Sequence, residues 1–175
     1  MRGRRVVVAF VAALLVAFAA AGIGAPPALA RATPSGYERV DVTSAGISIL
    51  VPDGMRRSKV TRDIPFSAFD GGKYVDHSVT VLRSKYTALP SRAALRANVA
   101  RLVEQGDELD IRRTSVADEP AVVQTLTLGE TTTRTYFFEP QEGRVVAVGF
   151  TWPTAETSYA QTVDEMIADL RISRT

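Results

Sequence analysis

The chemistry this chain could do begins with one histidine. His77 is the sole imidazole in 175 residues, and there is no cysteine. Thiol catalysis, disulfides and zinc–thiolate sites are therefore excluded, as is a multi-histidine metal site within one chain. His77 lies in a run that alternates Val75, His77, Val79 and Val81, so period-two alternation puts all four on one strand face. Asp76 then points to the opposite face and cannot orient the ring. As a catalytic base His77 would need a nucleophile and an orienting carboxylate. The spacing supplies neither, and the expectation is a hydrogen-bonded structural or cleft-lining histidine.

Other charged groups give weaker signals. Asp107-Glu108-x-Asp110 offers the oxygen ligands calcium prefers, without the Asp-x-Asp-x-Asp-Gly loop spacing, and reads as a solvated helix-to-strand turn. Asp70-Gly71-Gly72-Lys73 lacks the Gly-x4-Gly-Lys-Ser/Thr pattern and a following helix, so it reads as a hairpin turn. Arg56, Arg57, Lys59 and Arg62 form a basic cluster suited to anionic headgroups or wall polymers, with a solvated charged face as its default reading. No Gly-x-Ser-x-Gly elbow, His-Glu-x-x-His pair or Ser-x-x-Lys motif occurs. A carboxylate pair of the glycosidase kind is a tertiary property that the sequence does not single out. The expected catalytic, metal and cofactor sites are thus none.

The elements that must position these residues begin after residue 30. Arg2, Arg4 and Arg5 precede an apolar run from Val6 to Ile23, then Pro26-Pro27, then Ala28-Leu29-Ala30. A basic start, an apolar middle and small residues at Ala28 and Ala30 for signal peptidase make a secretory signal peptide over 1–30. A retained anchor is the competing reading, since 18 apolar residues approach the length that spans a bilayer. Arg4-Arg5 also suggests twin-arginine export, but Gly3 and the very apolar core favour the general route. The whole chain carries a formal net charge of +2, and residues 31–175 carry 18 basic against 19 acidic groups. That near-neutral body argues against a nucleic-acid partner. Arginine outnumbers lysine 18 to 3, a bias of GC-rich genomes.

Residues 31–36 read as a flexible lead-in and 37–175 as one domain. Strands are expected at 37–43 and 46–51, the second stopped by Pro52-Asp53-Gly54. A mixed segment over 55–69 follows, then a strand over 73–83. A helix opens at Pro90 with Ser91 as N-cap, carries Leu95, Val99, Leu102 and Val103 on one stripe, and stops at Gly106. Four strands, 109–116, 121–128, 132–138 and 144–152, form an antiparallel meander. Val145–Gly149 is apolar or small on both faces and so should be central. The last helix starts with Thr154 as N-cap and Glu156 in its first turn, and buries Tyr159, Val163, Met166, Ile167 and Leu170. The order makes an α+β sandwich, a central antiparallel sheet flanked by helices.

Gly46-Ile-Ser-Ile-Leu-Val-Pro-Asp-Gly54 resembles the entry motif of PsbP-like domains, with Met55 where a Trp or another large apolar residue is usual. Val145-Val-Ala-Val-Gly-Phe-Thr-Trp152, Pro153-Thr-Ala-Glu156 and the helix ending at Ile167-Ala-Asp-Leu-Arg-Ile172 match that family's closing strand and helix in style. The family spans the PsbP subunit of the oxygen-evolving photosystem and actinobacterial LpqN-type envelope proteins. The resemblance covers about 37–172 and implies an extracytoplasmic scaffold or binding role. It carries no catalytic residues to transfer. The LpqN-type lipid anchor needs a cysteine this chain lacks, and photosynthetic partners have no support in it. Two functions remain: a secreted non-catalytic interaction or accessory protein of the cell envelope, binding a protein or small envelope ligand, or a secreted hydrolase with a Ser or carboxylate site hidden by tertiary placement. The membrane would be met only through an uncleaved signal peptide.

Overall fold

The computed structural model describes residues 33–70, 77–103 and 107–173. The signal segment with Ala28 and Ala30, the Gly71–Asp76 stretch with Lys73, Val75 and Asp76, and Gly106 lie outside the described residues. Among the described residues, ten strands form two antiparallel sheets. β1 (Tyr37–Val42), β2 (Ile47–Pro52) and β10 (Arg171–Ile172) make a three-stranded sheet in the order β1-β2-β10. The remaining strands are β3 (Arg56–Arg57), β4 (Phe66–Phe69), β5 (Ser78–Arg83), β6 (Glu108–Val116), β7 (Glu119–Leu128), β8 (Thr131–Gln141) and β9 (Arg144–Pro153). They make a seven-stranded sheet in the order β3-β4-β5-β9-β8-β7-β6. Helix α1 spans Arg92–Val99 and helix α2 spans Tyr159–Ala168. This is the α+β arrangement expected, with antiparallel strands and a helix on each face.

The faces follow from the two-residue period. Val123, Tyr136, Val148 and Val81 lie in register across β7, β8, β9 and β5. They join one core with Ile47, Ile49 and Val51 of β2 and Val163, Met166 and Ile167 of α2. Val122 and Phe137 on the other face pack with Leu95 of α1 and Ile111 of β6 in a smaller cluster. β9 is the middle strand, between β5 and β8, and Val145 to Val148 are all buried, as a strand apolar on both faces requires. The turn after β2 uses Gly54 at φ +81°, which no residue with a Cβ adopts cheaply.

Several boundaries differ from expectation. The mixed segment 55–69 holds two strands, β3 and β4, that pair with each other. Ser91 caps α1 as expected, accepting a 3.1 Å hydrogen bond from the Ala94 N–H. The helix nevertheless ends at Val99, well before Gly106, and of its stripe only Leu95 is buried. Thr154 is not the N-cap of α2. Its N–H donates to Glu130 O at 2.8 Å and its hydroxyl meets that of Thr132 at 3.0 Å. β8 holds it, so residues 154–158 turn on themselves before the helix starts at Tyr159. Leu170 and Arg171 lie beyond the helix, and Arg171 pairs with Ser48 in β10 as a half-buried strand residue. Ser35 and Gly36 of the lead-in form a turn tied down by the Asp53 N–H, which donates to Gly36 O.

Candidate functional site

His77 stands immediately before β5, which pairs with β4 and β9. Asp70, at the end of β4, reaches it twice. The His77 N–H donates to Asp70 Oδ1 at 3.0 Å, and His77 Nδ1 lies 2.8 Å from Asp70 Oδ2. The turn before α2 brings Glu156 to the other side of the ring, with Oε2 2.8 Å from Nε2. Glu156 was expected to complement the dipole of α2 from its first turn. The later start of the helix frees its carboxylate for His77.

The ring also packs on Tyr159, centroid to centroid 4.3 Å. Tyr159 lies 5.9 Å from Trp152, and the Arg134 guanidinium sits 5.5 Å over that indole. Arg134 and the Tyr136 hydroxyl both reach Asp164 of α2, at 2.9 and 3.2 Å. A cation–aromatic row therefore runs along the N-terminal half of α2 and ties it to β5, β8 and β9. Within it, the Tyr159 hydroxyl is buried with no hydrogen-bond partner among the described residues. Burial, and the negative charge of Asp70, push its pKa above the ordinary tyrosine value.

Two carboxylates change what His77 can do. Burial is the largest single influence on its pKa and works to lower it. The hydrogen bonds to Asp70 and Glu156, with their charges, together outweigh burial and hold the pKa above the ordinary 6.5. A carboxylate oxygen lies 2.8 Å from each ring nitrogen, so both nitrogens are already engaged and neither faces a nucleophile. The expectation of a hydrogen-bonded histidine matches this geometry, and an orienting carboxylate does exist, supplied by Asp70. Sequence reasoning sought that partner at Asp76. The usable signal was the Asp70 turn, since a hairpin from β4 to β5 must return residue 77 beside residue 70.

The other singled-out groups do not converge. Asp107 Oδ1 accepts from the Gly129 N–H at 3.2 Å, and Asp110 lies 3.8 Å from Arg112 Nε on its own strand. Among the described residues, no set of three or more His, Asp or Glu side chains is arranged to hold a metal ion. Asp70 and Glu156 approach opposite edges of the imidazole and so do not share one face with it. In the basic cluster, Arg57 pairs with Glu38 at 3.0 Å and lies over the Phe66 ring at 5.9 Å. Arg56, Lys59 and Arg62 are exposed.

A second feature escaped sequence reasoning. A cleft of about 460 Å³ opens between the β6–β7 turn and the end of α2, lined by Ser115, Ala117, Asp118, Ile167, Asp169 and Arg171 among others. Ala117 and Asp118 both have positive φ, 49° and 67°, a tight-hairpin conformation usually given to Asn-Gly. Under the cleft, Asp169 forms an ion pair with Arg39 of β1, whose guanidinium also donates to the Asp169 carbonyl at 3.2 Å.

No protein-family model matches the chain, and no curated protein matches it. Solved structures do. The solution structure of cyanobacterial PsbP (CyanoP) from Synechocystis sp. PCC 6803 aligns over 83% of this chain and 98% of its own, at 12% identity and a TM-score of 0.56. The Saccharomyces cerevisiae Ran-binding protein Mog1p aligns over 78% of this chain and 95% of its own, at 12% identity and a TM-score of 0.54. Similarity at this identity is similarity of backbone, and on that ground the two sheets and two helices described above form a PsbP/Mog1-like fold.

Proposed function

We propose that the protein is an exported, non-catalytic interaction module of the cell envelope, of the LpqN type but without a lipid anchor, that binds a protein partner. The observation that carries this reading is the double stapling of His77. The chain's one imidazole has both nitrogens taken by carboxylates 2.8 Å away, so the group a hydrolase would most readily use is spent on structure. The fold is shared with a protein described as Ran-binding, and folds host functions at grafted surfaces. The surface favoured here is the cleft beside Ala117 and Asp118. Backbone held in a left-handed conformation without glycine costs free energy, and such strain clusters where a surface is used.

Two measurements test the proposal together. N-terminal sequencing of the secreted protein should begin at Arg31, after cleavage behind Ala30; an intact Met1 form in membranes would contradict cleavage and release. A photo-crosslinking residue at the exposed Ser115 on the cleft rim should yield one discrete protein adduct in the envelope of producing cells. The same probe at Arg96, on the exposed side of α1, should yield none. Ester or glycoside hydrolysis by purified protein that disappears in His77→Gln would sink the non-catalytic reading.

A further inference from the structure

We propose that Arg83 and Arg144 form a binding site for a phosphate group, separate from the cleft and from the basic cluster at residues 56–62. Among the described residues five arginines are half-buried: Arg39, Arg83, Arg134, Arg144 and Arg171. Three of them have a carboxylate within 4.0 Å, Arg39 and Arg171 on Asp169 and Arg134 on Asp164. The other two have no carboxylate within that distance among the described residues. Instead both aim at one backbone oxygen. Arg83 Nη2 donates to Ser44 O at 3.1 Å, and Arg144 Nη2 donates to the same atom at 2.8 Å.

The topology builds this pair from distant sequence. Arg83 closes β5, Arg144 opens β9 beside it, and the two converge on the 3-10 turn Thr43–Ala45 that links β1 to β2. A single carbonyl dipole does not neutralise two guanidiniums, and like charges held this close repel unless an anion joins them. The neighbours are suited to one. Gln141 accepts from Arg144 Nη1 through Oε1 at 3.1 Å, which leaves its amide NH₂ as a donor beside the turn. Thr43 and Ser44 are exposed and carry hydroxyls.

Two planar forks, an amide and hydroxyls offer more donors than the two oxygens of a carboxylate can use. They match the oxygens of a phosphate mono- or diester, for which bidentate arginine is the preferred partner. The phosphate could belong to free inorganic phosphate or to an anionic lipid headgroup. Either source presents the same group to the arginines.

The test titrates purified protein with inorganic phosphate, and separately measures retention on vesicles of phosphatidylglycerol against phosphatidylcholine, each at low and high salt. Phosphate should raise the thermal midpoint and give a calorimetric signal, or the phosphatidylglycerol vesicles should retain the protein; the arm that responds identifies the source. Arg144→Gln, at an exposed hairpin, should weaken the response about tenfold or more. Arg83→Lys, which keeps charge but loses the fork, should weaken it less. Arg92→Gln on α1 should leave it unchanged. The proposal is overturned if neither arm responds, if Arg144→Gln binds as the parent does, or if Arg92→Gln loses as much. Succinate binding as tightly as phosphate would overturn the assignment to phosphate.

Discussion

His77 is worth most to the fold as a cation. Its pKa is raised in the folded protein relative to 6.5 in the unfolded chain, so the folded state binds the proton more tightly. The resulting stabilisation is complete below the unfolded value and is lost as pH rises through the folded value. As pH rises from below 6.5 through the higher folded value, the urea midpoint should therefore fall by more in the parent than in His77→Gln. Equal slopes would remove the staple from the account. Tyr159, packed on the same ring, has a buried hydroxyl without a partner among the described residues, and an unpaired buried hydroxyl costs about 1–3 kcal/mol. Tyr159→Phe keeps the ring contacts with His77 and Trp152 and should stabilise the protein by about 1 kcal/mol in urea unfolding. At this scale the sequence anticipated a hydrogen-bonded His77. It did not reveal Glu156, because the expected helix start at Thr154 assigned that carboxylate to a helix dipole. Nor could it pair Arg83 with Arg144, since a charge cluster assembled by strand register leaves no run in the sequence.

Among the elements, those with strong apolar patterns were legible. The meander, the central place of β9 and the buried stripe of α2 all follow from spacing, because large side chains at fixed periods have one way to leave water. The edges were less so. β3 is two exposed residues with no pattern to carry, and β10 was read as the tail of a helix because Leu170 and Ile172 continue an apolar sequence. The β6–β7 connection was visible as a gap between strands, but its backbone was not: Ala117-Asp118 lacks the Asn-Gly signature while adopting the positive φ values that signature predicts. A left-handed conformation costs roughly 1–2 kcal/mol for a residue with a Cβ. Replacing the pair with Asn-Gly should relieve part of this and stabilise the protein by about 1 kcal/mol. If the turn contributes to partner binding, the same variant should weaken the Ser115 crosslink while raising the urea midpoint. A variant less stable than the parent would show that the strain estimate is wrong.

At the scale of the whole molecule, the order of strands and helices was readable but their division into two sheets was not. β1 and β2 have the alternation of any antiparallel pair, and nothing local says that they leave the large sheet and pair with β10 instead. Long-range closure decides it. The last strand returns to β2, where Arg171 and Ile172 pair with Ser48 and Ile47, and α2 comes just before it. The two sheets therefore share a core whose third wall is α2: Met166 and Val163 are 0% exposed against residues of both sheets. Such a core should not come apart in pieces. Fluorescence of Trp152, the one tryptophan and 3% exposed in this core, should report the same urea transition as far-UV circular dichroism, which averages over both sheets. Met166→Ala removes side-chain volume from a site with no water access and should cost about 2–5 kcal/mol with the two probes still coincident. Truncation after Pro153 deletes α2 and β10 together. Ile47, Ile49 and the large sheet then lose the cover of Val163, Met166, Ile167 and Leu170, each worth about 1.5–3 kcal/mol when fully buried, against a net stability of about 5–15 kcal/mol for a typical domain. The truncated chain should show no cooperative transition by either probe. A truncated protein that still unfolds cooperatively, with its tryptophan buried, would mean that the two sheets hold together without α2, and the single shared core would have to be abandoned.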